Sequence, residues 1–462
     1  MAFPEPGVTP HYGPSRAVRL RHLDLHLSIE PAERRWSGTA RLHIKALPLF
    51  EGTSRFDLDM VKVRSVTDGK GNDLDYVHDD AVLEVSHRKS TRQVVVTFEG
   101  HDPTAGIYFT GPTGERPERQ HMAWTQCQDE DGHFVFPCHD HPRFKHTWSI
   151  RLDAPAGYTL LSNGTQTGQG EEQGRSWATF EQAEPMPAYL FTAVAARLSV
   201  TEASWRGRSV RYLVPVGEEE AVLRSMGKTP LMMEHFSQLT GKDYAWPRYD
   251  QVVVHDFIFG GMENTACTTM TDLLLVDDKA VLEWDPDGLV AHELAHQWFG
   301  DLVTCQDWSQ AWLNESWATF MEWMWWEHDR SEADATWYRW NLQEAYLGED
   351  RGRYRRPIVS YKFREPIDVF DRHLYQKGAC VLGTLRSMLG EAPFWAGVKA
   401  YLRAHAHGTL HTRMFQRCLE ETTGANLDQF FDQWVHGAGH PDLKVKLAAV
   451  PGALEVLSLI HI

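Results

Sequence analysis

The chain has 462 residues, 42% of them hydrophobic and 11% aromatic, enough to bury more than one core. Its net charge of −17 excludes the basic surface that phosphate backbones require, so no nucleic-acid partner is expected. No apolar run approaches the ~20 residues of a membrane-spanning helix, and the six cysteines are scattered without C-x-x-C pairs, so no membrane anchor, disulfide framework or cysteine metal site is expected.

Residues 1–16 lack the basic start and apolar stretch of a secretory signal, so a soluble cytoplasmic protein is the expectation. Residues 18–29, VRLRHLDLHLSI, alternate apolar and polar, and the alternation returns at 38–44 after a polar bend. Shorter β patterns follow at 54–58, 81–85, 94–98, 147–152 and 178–180, with turn clusters such as DGKGN at 68–72 between them. No long helical pattern occurs before about Val200, which predicts a β-rich domain over residues 1–205 with a curved or sandwich-like sheet. Within it, TQCQ at 125–128 and FPCHDHP at 136–142 break the alternation. His139 and His141, one residue apart in a proline-flanked loop, read as polar loop residues ahead of a metal site.

From about Gly217 the pattern changes. Residues 218–240 read as a helix, Gln251–His255 as a buried strand and Gly261–Thr265 as an edge strand after a glycine pair. Most of 287–437 is helical and rich in tryptophan, and Trp312, Trp317, Trp323, Trp325 and Trp326 read as core and domain-interface packing. The basic run Arg351 to Arg356 reads as a solvated loop. The second domain is expected over 206–441. Residues 442–462 open a further β segment that stops inside a strand pattern, so a fragment of a longer protein is expected ahead of a compact form.

The stretch around which the rest is organised is GLVAHELAHQWFGDLVTCQDWSQAWLNESWATFME. Asp287 can cap an apolar helix that Gly300 ends, and on it His292 and His296 lie one turn apart on one face. That spacing suits two nitrogens gripping one Zn²⁺. Glu293, one step round the helix, can take a proton from water without binding the metal. Glu315 falls on a second helical run, Ala311 to about His328, and can be the third ligand. Three protein ligands leave a fourth position open, the catalytic arrangement. Two turns on, Glu322 can orient a ligand histidine or be an ordinary core-edge carboxylate. Taken alone, the pentapeptide also fits a helix with two core-facing histidines; Asn314-Glu315 on a helix of its own weighs against that.

HELAHQWFGDLVT followed by WLNESWATF resembles the aminopeptidase N family of zinc metallopeptidases, which also contains leukotriene hydrolase. Gly260-Gly261-Met262-Glu263-Asn264 is similar to that family's G-x-M-E-N segment, and Tyr375-Gln376-Lys377-Gly378-Ala379 to its Y-x-K-G segment. The resemblance runs from about His11 to Pro441. It implies an α+β multidomain fold, a saddle-like β-rich domain followed by a thermolysin-like, mainly helical one, and one Zn²⁺ on His292, His296 and Glu315. It further implies peptide substrates with a free N-terminus, Glu293 as general base and acid, and Tyr375 on the oxyanion. Gln128, Gly260, Gly261, Met262, Glu263 and Asn264 would bind substrate, with Glu263 and Gln128 on its ammonium. His133 departs from the family, where many members carry Arg, which leaves the local loop contacts open. Relatives continue with a β-sandwich and often a helical domain. An endopeptidase, a non-catalytic scaffold and a lipid epoxide hydrolase are the competing readings; the G-x-M-E-N segment and the intact set of site residues weigh against the first two, and the third rests on family analogy alone.

Overall fold

A computed structural model of the chain describes residues 3, 4, 6–79 and 81–461. The N-terminal part is built on a seven-stranded sheet whose spatial order is Thr165–Glu172, Arg175–Met186, His146–Pro155, Val18–Glu30, Arg35–Ala46, Gln93–His101 and Lys62–Asp68. Val18–Glu30 lies at its centre, antiparallel to Arg35–Ala46 and parallel to His146–Pro155. The alternation explains the placement. Leu23, Leu25, Leu27 and Ile29 are buried on one face, while His22, Asp24, His26 and Ser28 point to the other. A smaller sheet of Thr159–Ser162, Ala193–Ala196, Met122–Gln126 and Gly106–Thr110 leads directly into the loop that carries Gln128.

A five-stranded sheet opens the second part, in the order Leu198–Trp205, Arg208–Pro215, Arg248–Val254, Cys267–Thr271 and Gly261–Met262. Its central strand, Arg248–Val254, is buried at every residue. At the edge, Gly261 and Met262 pair with Met270 and Thr269. This edge strand is shorter than the 261–265 expected, because the Asn264 carbonyl accepts the Cys267 N–H in a turn, while its side-chain amide donates to Leu190 O and Phe191 O of the N-terminal part.

The helices follow as α1 (Val222–Met226), α2 (Thr229–Thr240), α3 (Asp287–His296), α4 (Trp312–Asp329), α5 (Glu332–Gly352), α6 (Gly378–Leu389), α7 (Glu391–His405) and α8 (Thr412–Thr423). The helix expected over 218–240 is two. Pro230 lacks the N–H that would bond residue 226, so it starts α2 and cannot continue α1. Helix α3 ends at His296, earlier than the expected Gly300, with the chain tightening through Gln297 N–H to Leu294 O and Trp298 N–H to Ala295 O. Asp287 is the first helical residue and not the cap; its carboxylate pairs with Lys228 and Arg330.

The tryptophans of α4 do pack the core: Trp312, Trp317 and Trp325 are at most 1% exposed. The apolar interior runs without interruption from the β-rich part into the helical part. Polar contacts pin the two together: Lys145 Nζ to Asp301 O at 2.9 Å, Trp308 Nε1 to Glu130 Oε1 at 2.9 Å, and Asn314 Nδ2 to Tyr189 Oη at 3.1 Å. Beyond residue 441, Asp442–Val450 and Ala453–His461 form an antiparallel hairpin, the first strand exposed throughout. No helix among the described residues is long and apolar enough to cross a membrane.

Candidate metal centre and active site

Helices α3 and α4 pack closely, and their facing sides carry His292, His296, Glu315 and Glu322. The three expected ligand atoms form a nearly equilateral triangle: His292 Nε2 to His296 Nε2 is 3.1 Å, His292 Nε2 to Glu315 Oε2 is 3.4 Å, and His296 Nε2 to Glu315 Oε2 is 3.2 Å. Bonds of about 2.0–2.1 Å in tetrahedral geometry require edges of about 3.3–3.4 Å, so the triangle has the size of one face of a zinc site. The tautomers point the same way. His292 Nδ1–H donates to Glu322 Oε1 at 2.5 Å and His296 Nδ1–H to Phe299 O at 2.9 Å, which turns both Nε2 lone pairs inward. Tyr338 O–H holds the other oxygen of Glu322. Two lone pairs and a carboxylate converging on one point are acceptors only, and they fit a divalent cation of the zinc type.

The electrostatics agree. Burial opposes charge on Glu315, but His296 and His292 outweigh it and hold the carboxyl at about 2. Burial likewise disfavours the His296 imidazolium, but Glu263 and Glu315 outweigh it and push it up to about 9. The pocket is thus strongly attractive to positive charge. Glu293 is 4% exposed, and burial pushes its carboxyl up to about 8 against the opposing pull of His292 and His296. A carboxylate desolvated to that degree is a strong proton acceptor.

The opposite wall comes from scattered segments. A Cβ on Gly261 would lie 2.5 Å from the Glu293 side chain, so only glycine lets the edge strand run this close to α3. Glu263, 2% exposed, sits just beyond; it, Glu293 and His296 have ligand atoms within 4.8 Å of one another. Burial raises its pKa. Gln128 Nε2 donates to Glu263 Oε1 at 3.4 Å across the boundary between the two parts. The cleft between the walls, about 490 Å³, is lined by Gln128, Gly260, Gly261, His292, Glu293 and Tyr375 together with Asp129, Phe259, Trp284 and Phe370. Met262, Glu263 and Asn264 are not among the lining residues: Met262 Sδ takes the Gln126 amide, Glu263 is buried beside Glu293 and His296, and Asn264 holds backbone carbonyls.

Tyr375 lies on a single π-helical turn, His373–Lys377, just before α6, its ring 5.9 Å from that of His292. Burial first, and then the carboxylates of Glu315, Glu263 and Glu293, keep its phenol well above the usual range and protonated. Ser316, next to Glu315, donates to Leu374 O at 2.5 Å, and a Cβ on Gly378 would strike Ser316 Oγ, so α4 and α6 approach as closely as glycine allows.

The residues that hold this turn were not expected. Asp371 accepts the N–H groups of His373 and Leu374, each at 3.0 Å, and Arg356 grips the same carboxylate from Nε at 2.7 Å and Nη2 at 2.6 Å. Arg356 is 1% exposed, which corrects its reading as part of a solvated loop. An aspartate four residues before the tyrosine, able to cap the turn, was the available signal. His133 faces Asp140 through Nδ1 at 2.9 Å, and burial drives the His139 imidazole well below its usual range, which keeps it neutral.

Known proteins resemble this chain in sequence and fold. The peptidase family M1 domain matches residues 224–434 and the peptidase M1 N-terminal domain residues 19–190. An alanine/arginine aminopeptidase of Saccharomyces cerevisiae is 31% identical over 366 residues, 76% of this chain and 42% of its own length. The mitochondrial aminopeptidase 2 of the same yeast is 32% identical over 371 residues, 76% of this chain and 38% of its own length. The chain therefore spans about two fifths of these curated relatives. Among solved structures, yeast LTA4 hydrolase superposes with a TM-score of 0.81 at 22% identity, covering 94% of this chain and 71% of that one. A Deinococcus radiodurans M1 zinc metallopeptidase, solved with a Tyr-Ser-Ala substrate, gives a TM-score of 0.77 at 23% identity, covering 92% and 96%.

Proposed function

The chain belongs to the peptidase M1 family, and on that premise we propose that it is a zinc-dependent aminopeptidase that hydrolyses the first peptide bond of peptides with a free N-terminus. One observation carries this reading above the others. Glu263 is a buried carboxylate within 4.8 Å of the atoms of Glu293 and His296, which puts a partner for an ammonium one residue's reach from the groups that would act on a carbonyl.

Zinc on His292, His296 and Glu315 supplies Lewis-acid chemistry, polarising a carbonyl and acidifying water. Glu293 accepts the proton of the attacking water and passes it to the leaving amine. Tyr375, protonated throughout, donates its O–H to the developing oxyanion. Glu263 neutralises the substrate ammonium, and Gln128 adds its amide oxygen. The cleft-facing edge at Gly260-Gly261 offers backbone to an extended peptide. Met262 and Asn264 shape that edge from behind.

We further infer units at 1–205 and 206–441, with 442–462 opening another β segment. The six cysteines are free, which suits the reducing cytoplasm as the working compartment.

The test is a panel of aminoacyl amides with free and acetylated N-termini, assayed before and after chelation and after zinc is restored. Hydrolysis confined to free amines, lost on chelation and regained with zinc, is the expected result. Equal cleavage of acetylated substrates would leave a zinc hydrolase but remove the exopeptidase reading.

A further inference from the structure

A second cluster of metal-ligating side chains stands apart from the cleft. On the solvent face of the seven-stranded sheet, His22, Asp24 and His43 each offer a ligand atom within 4.8 Å of the others. His22 and His43 are directly opposed on neighbouring antiparallel strands, their rings edge-on at 5.2 Å. Asp24 follows two residues after His22 on the same face and reaches both: His22 Nε2 lies 2.9 Å from Oδ1, and His43 Nε2 lies 2.7 Å from Oδ2.

His22 is held from both sides. Its Nδ1 is 2.7 Å from Thr147 Oγ1, and its Nε2 is 2.9 Å from Asp24 Oδ1 with Ser149 Oγ at 3.1 Å. With Nδ1 protonated toward the Thr147 oxygen, the Nε2 lone pair faces the Asp24 carboxylate, two acceptors that a cation between them would bridge.

We propose that His22, Asp24 and His43 form a surface site for a divalent first-row transition ion, held by the two Nε2 atoms and a carboxylate oxygen, with water in the remaining positions. Two imidazoles and one carboxylate select zinc, nickel or copper over calcium and magnesium, which prefer all-oxygen shells. The Thr147 hydroxyl fixes the His22 ring from Nδ1, the role an outer partner plays at a metal-bound imidazole. The ligands sit on the two longest central strands, so little ordering is needed on binding. Their side chains are 26%, 41% and 33% exposed, which gives an ion direct entry. Arg41 opposes it: its Nε lies 3.8 Å from Asp24 Oδ2 and competes for the same carboxylate, so affinity is set below that of the buried triad. The similar grouping of Glu349, Asp371 and His373 lacks this property, because Arg356 already neutralises Asp371.

The experiment uses the whole chain, chelated, reloaded with one equivalent of zinc and freed of excess. Calorimetric titration with Ni²⁺, and separately with Zn²⁺, is expected to give one further equivalent in the micromolar range. His43→Ala and Asp24→Asn should each weaken it at least tenfold, and His22→Ala with His43→Ala should abolish it. Arg41→Gln should tighten it a few-fold. The catalytic zinc content should not change in any of these variants. Absence of a further equivalent at submillimolar ion overturns the proposal. So does an equivalent that persists in the double variant, which would place the ion elsewhere, such as in the cleft beside Glu293.

Discussion

The two walls of the cleft are made in different ways. The wall proposed to hold the metal is two regular helices: α3 sets His292 and His296 by its i,i+4 spacing, and α4 sets Glu315 and Glu322 two turns apart. The facing wall has no such period. Gln128 leaves a sheet in the N-terminal part, Glu263 follows a two-residue edge strand, and Tyr375 rides on one π-helical turn. Glu263 and Tyr375 are held by distant partners: Gln297 Nε2 on Glu263 O, and Ser316 on Leu374 O with the Arg356–Asp371 pair for the turn that carries Tyr375. Helix geometry therefore sets the proposed metal side, while tertiary contacts set the proposed substrate side. Changes on the first wall should act through metal content, and changes on the second should leave the metal in place.

The largest effect should come from breaking the triangle. His296→Ala removes one corner and leaves Glu315 buried beside a single imidazole. Zinc measured by atomic absorption should fall from one per chain toward none, with turnover at background. Stoichiometric zinc in that variant would show that the helical wall does not hold the metal.

Next are the groups that act on protons. Glu293→Gln keeps the shape but cannot accept a proton, so zinc should remain while kcat falls by roughly 10²–10⁴-fold. Tyr375→Phe removes one oxyanion donor, with kcat lower by about 10²–10³-fold and KM nearly unchanged. If both keep near-normal turnover with zinc bound, the division of labour between the walls is wrong.

Asp371→Asn tests the support of the second wall without touching the cleft. It leaves Arg356 buried without its anion, a change that typically costs about 3–5 kcal/mol. Burial works against the Asp371 carboxylate, but His373 and Arg356 outweigh it and hold its pKa well below the usual range. A depressed folded-state pKa gives stability that is fully present above the unfolded value of about 3.9 and lost as pH falls toward the folded one. Denaturant melts should therefore separate wild type from variant widely at neutral pH and less as acid protonates Asp371. At neutral pH kcat should drop about tenfold with zinc unchanged, because Arg356 no longer clamps the residue that caps the π-turn through a full ion pair. A loss confined to stability would make Asp371 a fold residue only.

The same contrast decides what could be read from the chain. The helical wall was legible because a 3.6-residue period and a capping pattern are local. The β-rich start was legible from the alternation at 18–29, which the buried Leu23, Leu25, Leu27 and Ile29 obey. The ends of elements were less so: α3 stops at His296 because the chain tightens through Gln297 N–H to Leu294 O, a change with no sequence signature. Arg356 sat in a run of basic residues and read as solvated, since nothing local reveals that Asp371 lies fifteen residues on and beneath it. Glu263 and Gln128 were reached only through resemblance, because two residues 135 apart in sequence meet through the packing of two sheets.

The smallest expected effects lie at the amine end, and they discriminate most finely. Glu263 is a buried carboxyl, and paired with an ammonium it makes a charge-assisted bond worth about 1.5–3 kcal/mol, roughly 10- to 100-fold in specificity. Glu263→Gln should lower kcat/KM on free-amine substrates by that factor and leave acetylated ones nearly unchanged, narrowing the gap between them. Gln128 carries no charge, and its amide reaches Glu263 only at 3.4 Å, near the limit of a hydrogen bond. Its contribution to holding the ammonium is a neutral contact of about 0.5–1.5 kcal/mol, so Gln128→Ala should cost a few-fold to about tenfold, in the same direction. Because both act on one ammonium, the double variant should lose less than the product of the two single losses. Full additivity would mean that the two side chains serve different parts of the substrate, and that the amine is held by Glu263 alone.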